Sequence, residues 1–231
     1  MGAAELGIGI LGAVGGAAWA VRGRSSGVFC PNVWHGPRSS PSLTISFDDG
    51  PSVGTPKLLR VLEEYGVKAT FFQCGANVEA LPAIAREVVA NGHELGNHTY
   101  GHPMLALKSA AFVAGEFRRG REAIHTVTGV DPKILRVPYG VRWFGLRQTG
   151  IPNIMWDVIG GDWKLPAKQV ADRILRSARN GSILCLHDGR ELNRAASIEN
   201  TVEAVRWIVP ALLQRGHTFR TITELIWTPP A

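Results

Sequence analysis

Cysteine is scarce in this chain, and its spacing excludes two classes of protein. The 231 residues include three cysteines, Cys30, Cys74 and Cys185. An odd number without any CxxC pair argues against a disulfide-stapled scaffold and against a zinc site built from thiolates. Cys74 and Cys185 lie in strand-like runs, so we expect them to pack as small apolar residues.

Clusters of basic residues are lacking too, although the formal net charge is +6. The arginines and lysines are scattered, and no basic run alternates with aromatic residues, so we expect no nucleic-acid partner. Charged residues make up 19% of the chain and apolar residues 45%, which is typical of a globular enzyme and not of a disordered chain.

The N-terminus has no apolar run of full membrane-spanning length. Residues 6–21 are uncharged and rich in glycine and alanine, whereas a spanning helix needs about 20 apolar residues. The basic residues that open a signal peptide are also missing. We expect residues 1–24 to be a membrane-associated or signal-like helix, with a dispensable leader as the alternative. The expected location is therefore the membrane or the cell envelope; a cytoplasmic location stays open, and oligomeric state is unknown.

The remainder of the chain predicts a linker and one α/β domain. Residues 25–42 are rich in serine, glycine and proline, which is typical of a linker. Over residues 43–228, strand-like and helix-like runs alternate, which predicts a mainly parallel sheet with helical crossovers. About seven strands, among them 134–137 and 153–158, predict a distorted (β/α) barrel. In such barrels the reactive residues lie where strands end.

Two adjacent carboxylates, Asp48 and Asp49, end the first alternating run, and Gly50-Pro51 then forces a turn. At a strand end, both side chains can face one cavity, where one can bind a metal ion and the other can move a proton. A solvated Asp-Gly turn is the alternative.

His98 and His102 are four residues apart, a spacing that lets two imidazoles face the same way on a helical turn. Together with Asp49 they form a set of two histidines and one carboxylate. This set suits one catalytic divalent metal ion, with zinc as the first candidate and Co²⁺ or another transition metal as alternatives.

Further polar residues follow other predicted strands. Arg136 could pair with one of the two aspartates, and the turn at Tyr139 could present a backbone N–H to an oxyanion. His187 follows a buried run and could act as a general acid if an acid such as Asp162 partners it. Trp163 could form an apolar wall for a small acyl group, with core packing as the alternative.

Five motifs, in this order, resemble those of the NodB-type polysaccharide deacetylases, carbohydrate esterase family four: SFDDGP, HTYGH, RVPYG, the DW of GGDW, and LCLHDG. The resemblance covers residues 43–223 and implies a distorted β/α barrel. It also implies a metal-dependent enzyme that hydrolyses N-acetyl groups of N-acetylglucosamine-containing polysaccharides, releasing acetate and a free amine. Peptidoglycan, chitin-like and secreted glycans are all possible substrates.

The resemblance further implies a role for each residue of the predicted site. Where many relatives carry another Asp, this chain has Ile159, which affects loop details and substrate preference. The implied roles are: Asp48 as general base, oriented by Arg136; Asp49, His98 and His102 as metal ligands; the Tyr139 N–H as oxyanion donor; His187 as general acid, tuned by Asp162; and Trp163 and Leu186 beside the acetyl methyl.

Two other functions stay open from the sequence. One keeps the metal chemistry and changes the substrate to a small amide or cyclic imide. The other is a non-catalytic carbohydrate binder, which would be expected to have lost the base or the acid, whereas this chain keeps Asp48 and His187.

Overall fold

Eight strands and eight α-helices surround a buried core in the computed structural model, which describes residues 14–227. The strands are β1 Asn32–Val33, β2 Ser42–Gly50, β3 Thr70–Gln73, β4 Glu94–Asn97, β5 Asn153–Ile154, β6 Val158–Ile159, β7 Ile183–His187 and β8 Thr218–Phe219. The helices are α1 (residues 14–22), α2 Thr55–Glu64, α3 Gly75–Ala80, α4 Pro82–Ala90, α5 Ala110–Thr128, α6 Ala167–Ser177, α7 Glu199–Gln214 and α8 Ile222–Trp227. Two short 3₁₀ turns span Pro138–Gly140 and Leu146–Thr149.

Strand β2 is the centre of the sheet, and all nine of its residues are buried. It pairs in parallel with β3 and β7, and its first residues also pair with β8. Side chains alternate along a strand. Ile45 and Phe47 therefore join the main apolar core together with α2 and α7, while Ser46 and Asp48 contact Arg136 on the other face.

The parallel strands pair around most of a closed barrel. The strand order is β4-β3-β2-β7-β6, and Leu135 bridges Asn97 and Asn153, which joins β4 to β5. Every strand pair in the described chain is parallel. This arrangement, with helices outside, confirms the predicted distorted (β/α) barrel.

Two predicted strands are shorter in the structure. Residues 134–137 keep a single bridge residue, Leu135, and residues 153–158 divide into β5 and the start of β6. Between β5 and β6, the carboxylate of Asp157 accepts hydrogen bonds from the Ser182 hydroxyl at 3.0 Å and the Ile183 N–H at 2.9 Å. The Asp157 N–H still donates to the carbonyl of Ile183, so this side chain replaces only the backbone acceptor of the Ile183 N–H.

Residues 25–42, which the composition predicts as a linker, lie against the barrel. β1 pairs in parallel with β5, and the side chains of Asn32 and Asn153 are joined by a hydrogen bond of 2.7 Å. Cys30 is buried, and the ring of Phe29 stacks on Trp143 at 5.8 Å. Composition does not reveal this packing, since the partners are more than 100 residues away in the chain. The domain boundaries stay a prediction.

Helix α1 is anchored at its C-terminal end and is otherwise largely exposed. The N–H of Arg142 donates to the carbonyl of Val21 at 3.0 Å, and the Arg142 guanidinium donates to the carbonyl of Gly23 at 2.6 Å. Residues 6–13 of the predicted membrane-associated stretch lie outside the described residues. Within residues 14–227, no helix combines the length and apolarity needed to cross a membrane.

Candidate active site

The carboxyl ends of the central strands gather the predicted site residues into one cavity. β2 ends at Asp48 and Asp49, and β7 ends at His187, which pairs in register with Asp48. His98 directly follows β4. The cavity has a volume of about 550 Å³. Of the predicted residues, the following line it: Asp48, Asp49, His98, His102, Tyr139, Trp163 and His187.

Asp48 is held by a buried arginine. The Arg136 guanidinium donates to Asp48 Oδ1 at 2.7 Å and to the Ser46 hydroxyl at 2.9 Å. Its remaining nitrogens donate to the carbonyls of Ile154 and Met155, and it lies over the ring of Phe72. Arg136 is fully buried, so Asp48 takes the place of water in compensating its charge. The contact fixes Oδ1 of Asp48, and Arg136 makes no hydrogen bond to Oδ2 of the same carboxylate.

Asp49 is turned toward the two histidines by an unusual backbone conformation, with φ of 72°. Its Oδ1 lies 3.3 Å from Nε2 of His98 and 3.0 Å from Nε2 of His102. Its Oδ2 accepts the N–H of Glu191 at 2.9 Å. Burial alone would raise the pKa of Asp49, but the two imidazoles lower it well below its usual value.

Each histidine is oriented for its Nε2 to meet Asp49. The Nδ1 of His98 lies 2.8 Å from the carbonyl oxygen of Arg136. The N–H of His102, whose φ is 52°, donates to the Thr99 hydroxyl at 3.0 Å. Among the described residues, Nδ1 of His102 is buried without a hydrogen-bond partner.

These three residues fit a divalent cation of the transition series. One ligand atom from each of Asp49, His98 and His102 lies within 4.8 Å of the others, and all three residues are buried. Two imidazole nitrogens and one carboxylate oxygen suit zinc and its neighbours better than Mg²⁺ or Ca²⁺, which take oxygen ligands. The contact from His98 to a backbone carbonyl is the kind of support that metal-binding histidines have.

His187 forms a second charged pair, with Asp162. Its Nδ1 lies 3.1 Å from Asp162 Oδ1, and its backbone N–H donates to Asp162 Oδ2 at 2.8 Å. The Thr201 hydroxyl donates to the same carboxylate at 2.7 Å. Burial lowers the pKa of His187, but the Asp162 charge outweighs it and raises the pKa to about 9. His187 is therefore an imidazolium at neutral pH.

Tyr139 and Glu191 form a bridge beside the cavity. The Tyr139 hydroxyl donates to the Glu191 carboxylate at 2.7 Å, and the tyrosine ring packs edge-on against His102 with centroids 4.7 Å apart. Both bridging residues have positive φ, 56° for Tyr139 and 50° for Glu191. Such strain in non-glycine residues is concentrated at functional sites. Glu191 is not foreseeable from the sequence, since only the fold brings it near Asp49.

The predictions for the apolar residues differ in outcome. Trp163 lies where an apolar wall was expected, edge-on to His187 with centroids 5.0 Å apart. Leu186 is fully buried in the main core and does not line the cavity, which corrects its expected place beside an acyl group. Alternation along β7 puts Cys185, not Leu186, on the face shared with His187. The period-two pattern of LCLH was a signal for this in the sequence.

The site has a buried acid–histidine set and two ion pairs at the strand ends of a parallel (β/α) barrel. This is the arrangement of a β/α-barrel enzyme with an acid–base site. The polysaccharide deacetylase family model matches residues 35–148. A peptidoglycan-N-acetylglucosamine deacetylase of Bacillus cereus is 31% identical, over 84% of this chain and 71% of that protein. A chitooligosaccharide deacetylase of Sinorhizobium fredii is 36% identical, over 81% of this chain and 94% of that protein.

A solved structure agrees with these relatives. The crystal structure of the Bc1960 peptidoglycan N-acetylglucosamine deacetylase superimposes with a TM-score of 0.78 at 30% identity, covering 85% of this chain and 92% of that one. The chain therefore belongs to the polysaccharide deacetylase family, as its five motifs predict, and is an enzyme that hydrolyses amide bonds.

Proposed function

We propose that this enzyme removes N-acetyl groups from N-acetylglucosamine residues of a polysaccharide in a reaction that needs a divalent cation, with zinc as the first candidate. The observation that carries the proposal is the register of β2 and β7. It places Asp48 beside His187, each held by a partner of opposite charge, next to the Asp49–His98–His102 set. Relatives named as deacetylases of peptidoglycan and of chitooligosaccharides support this substrate class.

A cation held by Asp49, His98 and His102 would supply Lewis-acid activation of water and of the amide carbonyl. Asp48 is assigned to accept the water proton, because Arg136 fixes its Oδ1 and makes no hydrogen bond to its Oδ2. The Tyr139 N–H is assigned to the developing oxyanion. Imidazolium His187 donates its Nε2 proton to the leaving amine, since its Nδ1 is engaged by Asp162.

The products are acetate and an amino sugar, and the two protons that move are accounted for by Asp48 and His187. Trp163 shields the His187 side of the cavity and limits the space for the acyl group. The non-catalytic alternative has no support from the site, because both the base and the acid lie in the cavity with their partners.

The test is acetate release by the full chain from N-acetylglucosamine oligomers, with and without a chelator. We expect equal amounts of acetate and free amine, loss of both on chelation, and recovery when Zn²⁺ is restored. Release that survives complete removal of the cation would overturn the metal dependence. Turnover of small amides but not of any N-acetylated glycan would overturn the substrate assignment.

His98→Gln, with His125→Gln as the control, tests the cation ligands directly. His125 is an exposed residue of α5 and does not line the cavity. We expect His98→Gln to lose its bound cation, as measured by elemental analysis, and also to lose acetate release. His125→Gln is expected to keep both properties. A His98→Gln variant that retained as many cations per chain as wild type would contradict the ligand assignment.

A further inference from the structure

Cys185 is a buried thiol that the proposed reaction does not use, and it lies directly behind the general base. Its Sγ is 3.5 Å from Asp48 Oδ2, the oxygen that Arg136 leaves available. Cys185 and His187 are two residues apart on β7, so both side chains project from the same face of the strand.

These residues bring three metal-ligating atoms together. One ligand atom from each of Asp48, Cys185 and His187 lies within 4.8 Å of the others. Because Nδ1 of His187 is engaged by Asp162, its Nε2 is the nitrogen that remains for another partner. The set therefore offers a thiolate, an imidazole and a carboxylate, and a thiolate selects soft cations such as Zn²⁺ and Cd²⁺.

We propose that Asp48, Cys185 and His187 form a second cation site, which takes thiophilic divalent ions and inhibits the enzyme when it fills. Binding forms bonds from the cation to Asp48 Oδ2, Cys185 Sγ and His187 Nε2. The thiol and imidazolium protons are released to solvent, and no group is oxidised or reduced. Once His187 has lost its proton, the charges of Asp48, the Cys185 thiolate and Asp162 together balance those of the ion and the Arg136 guanidinium.

Inhibition follows from which residues the ion occupies. Asp48 can no longer accept a proton, and His187 no longer carries one to donate. Ions without affinity for thiolate, such as Mg²⁺, are not expected to fill this site, because it offers only one oxygen ligand. The inhibitory effect rests on the proposed deacetylase function, whereas binding of the ion does not.

The binding test uses Cd²⁺ as the probe, because cadmium–thiolate bonds give an ultraviolet charge-transfer band. We expect the full chain to bind two Cd²⁺ ions, as measured by equilibrium dialysis. The charge-transfer band should appear as the second ion binds. Cys185→Ala is expected to bind one Cd²⁺ without the band. Cys30→Ala and Cys74→Ala remove the other buried thiols and are expected to keep two ions and the band.

The inhibition test uses enzyme that already carries one equivalent of Zn²⁺. Added Zn²⁺ or Cd²⁺ is expected to abolish acetate release, and Cys185→Ala is expected to raise the half-inhibitory concentration by more than about 100-fold. Even loss of an outer partner of a metal ligand costs roughly 10- to 100-fold in affinity. Retention of one ion and an unchanged melting temperature show that the Cys185→Ala variant is folded.

A single bound Cd²⁺ in the wild-type chain, or a band that persists in Cys185→Ala, would overturn the second site. Two bound ions with the expected band, together with no acetate release from any glycan, would overturn the proposed function and leave the site standing. Equal inhibition of wild type and Cys185→Ala would refute the link between this site and inhibition.

Discussion

Arg136 and His98 are joined by a hydrogen bond in which the Arg136 carbonyl oxygen lies 2.8 Å from Nδ1 of the imidazole. The guanidinium of the same arginine holds Asp48 at 2.7 Å. One residue therefore positions the proposed general base through its side chain and a proposed cation ligand through its backbone. A side-chain substitution at Arg136 should disturb the first contact more than the second.

Replacing Arg136 by Met should destabilise the protein strongly, because Asp48 would be left buried without its partner. Breaking a buried pair costs about 3–5 kcal/mol, and for a chain of this size that corresponds to a melting temperature lower by about 10 °C. Differential scanning calorimetry measures the change. Arg118→Met, at an exposed position of α5, is the control and should melt close to wild type. A comparable melting temperature for both variants would contradict the importance of the pair.

Replacing Asp48 by Asn should remove proton transfer, and because it also removes the counter-ion of buried Arg136, the variant should melt below wild type. The amide keeps the shape of the carboxylate but is a poor base, so acetate release should fall by about 10²- to 10⁴-fold. The matched control is Asp172→Asn, an exposed carboxylate on α6. The variant should still bind its cation at Asp49, His98 and His102. Turnover of Asp48→Asn at the wild-type rate would refute the assignment of the base.

His187, the proposed general acid, should set the alkaline limb of the pH profile. Its pKa is about 9 in the folded protein, so the imidazolium needed for donation is lost as pH rises through that value. Asp162→Asn removes the charge that raises this pKa, so the limb should move to lower pH. Thr201→Val removes only a hydroxyl from the same carboxylate and should move the limb less. An unchanged limb in Asp162→Asn would contradict the pairing.

Asp188 should make stability depend on pH in the metal-free protein. Burial raises its pKa from 3.8 to about 7, with the charges of Asp49 and Asp48 acting in the same direction and the Thr55 hydroxyl opposing them. Because the folded state holds this proton more tightly, the stabilisation is complete below about pH 4 and is lost as pH rises to 7. The shift corresponds to roughly 4 kcal/mol.

Asp188→Asn removes the titrating group and should flatten this part of the stability profile between pH 4 and 7. Urea unfolding at several pH values measures it, with the exposed Asp172→Asn as the control that should keep the wild-type slope. A slope that is the same in Asp188→Asn and wild type would show that Asp188 is ionised throughout this range in the folded protein.

The sequence predicts the residues of the candidate site better than it predicts the packing of the N-terminal segment and the loops. Asp48, Asp49 and His187 follow clear strand-like runs, and parallel strands bring such ends together, so their convergence was foreseeable. Their partners, Arg136 and Asp162, were identified by motif and are found within hydrogen-bond distance.

Other features depend on contacts that no local pattern encodes. The pairing of β1 with β5 joins residues about 120 positions apart, which composition alone reads as a linker. Glu191 reaches Asp49 through a loop with positive φ, and the backbone shape of a loop is not visible in residue spacing. Leu186 was misplaced because a one-residue shift along a strand exchanges its two faces.

The short strand β1 also protects the barrel. A strand without a neighbour presents unpaired N–H and C=O groups to other molecules, and it can recruit a strand from a second chain. β1 covers that side of β5, with the carbonyl oxygens of Pro31 and Val33 accepting from the N–H groups of Asn153 and Met155. A chain that begins after residue 33 would keep the residues of the candidate site but would expose the edge of β5. We therefore expect loss of β1 to be seen first as self-association.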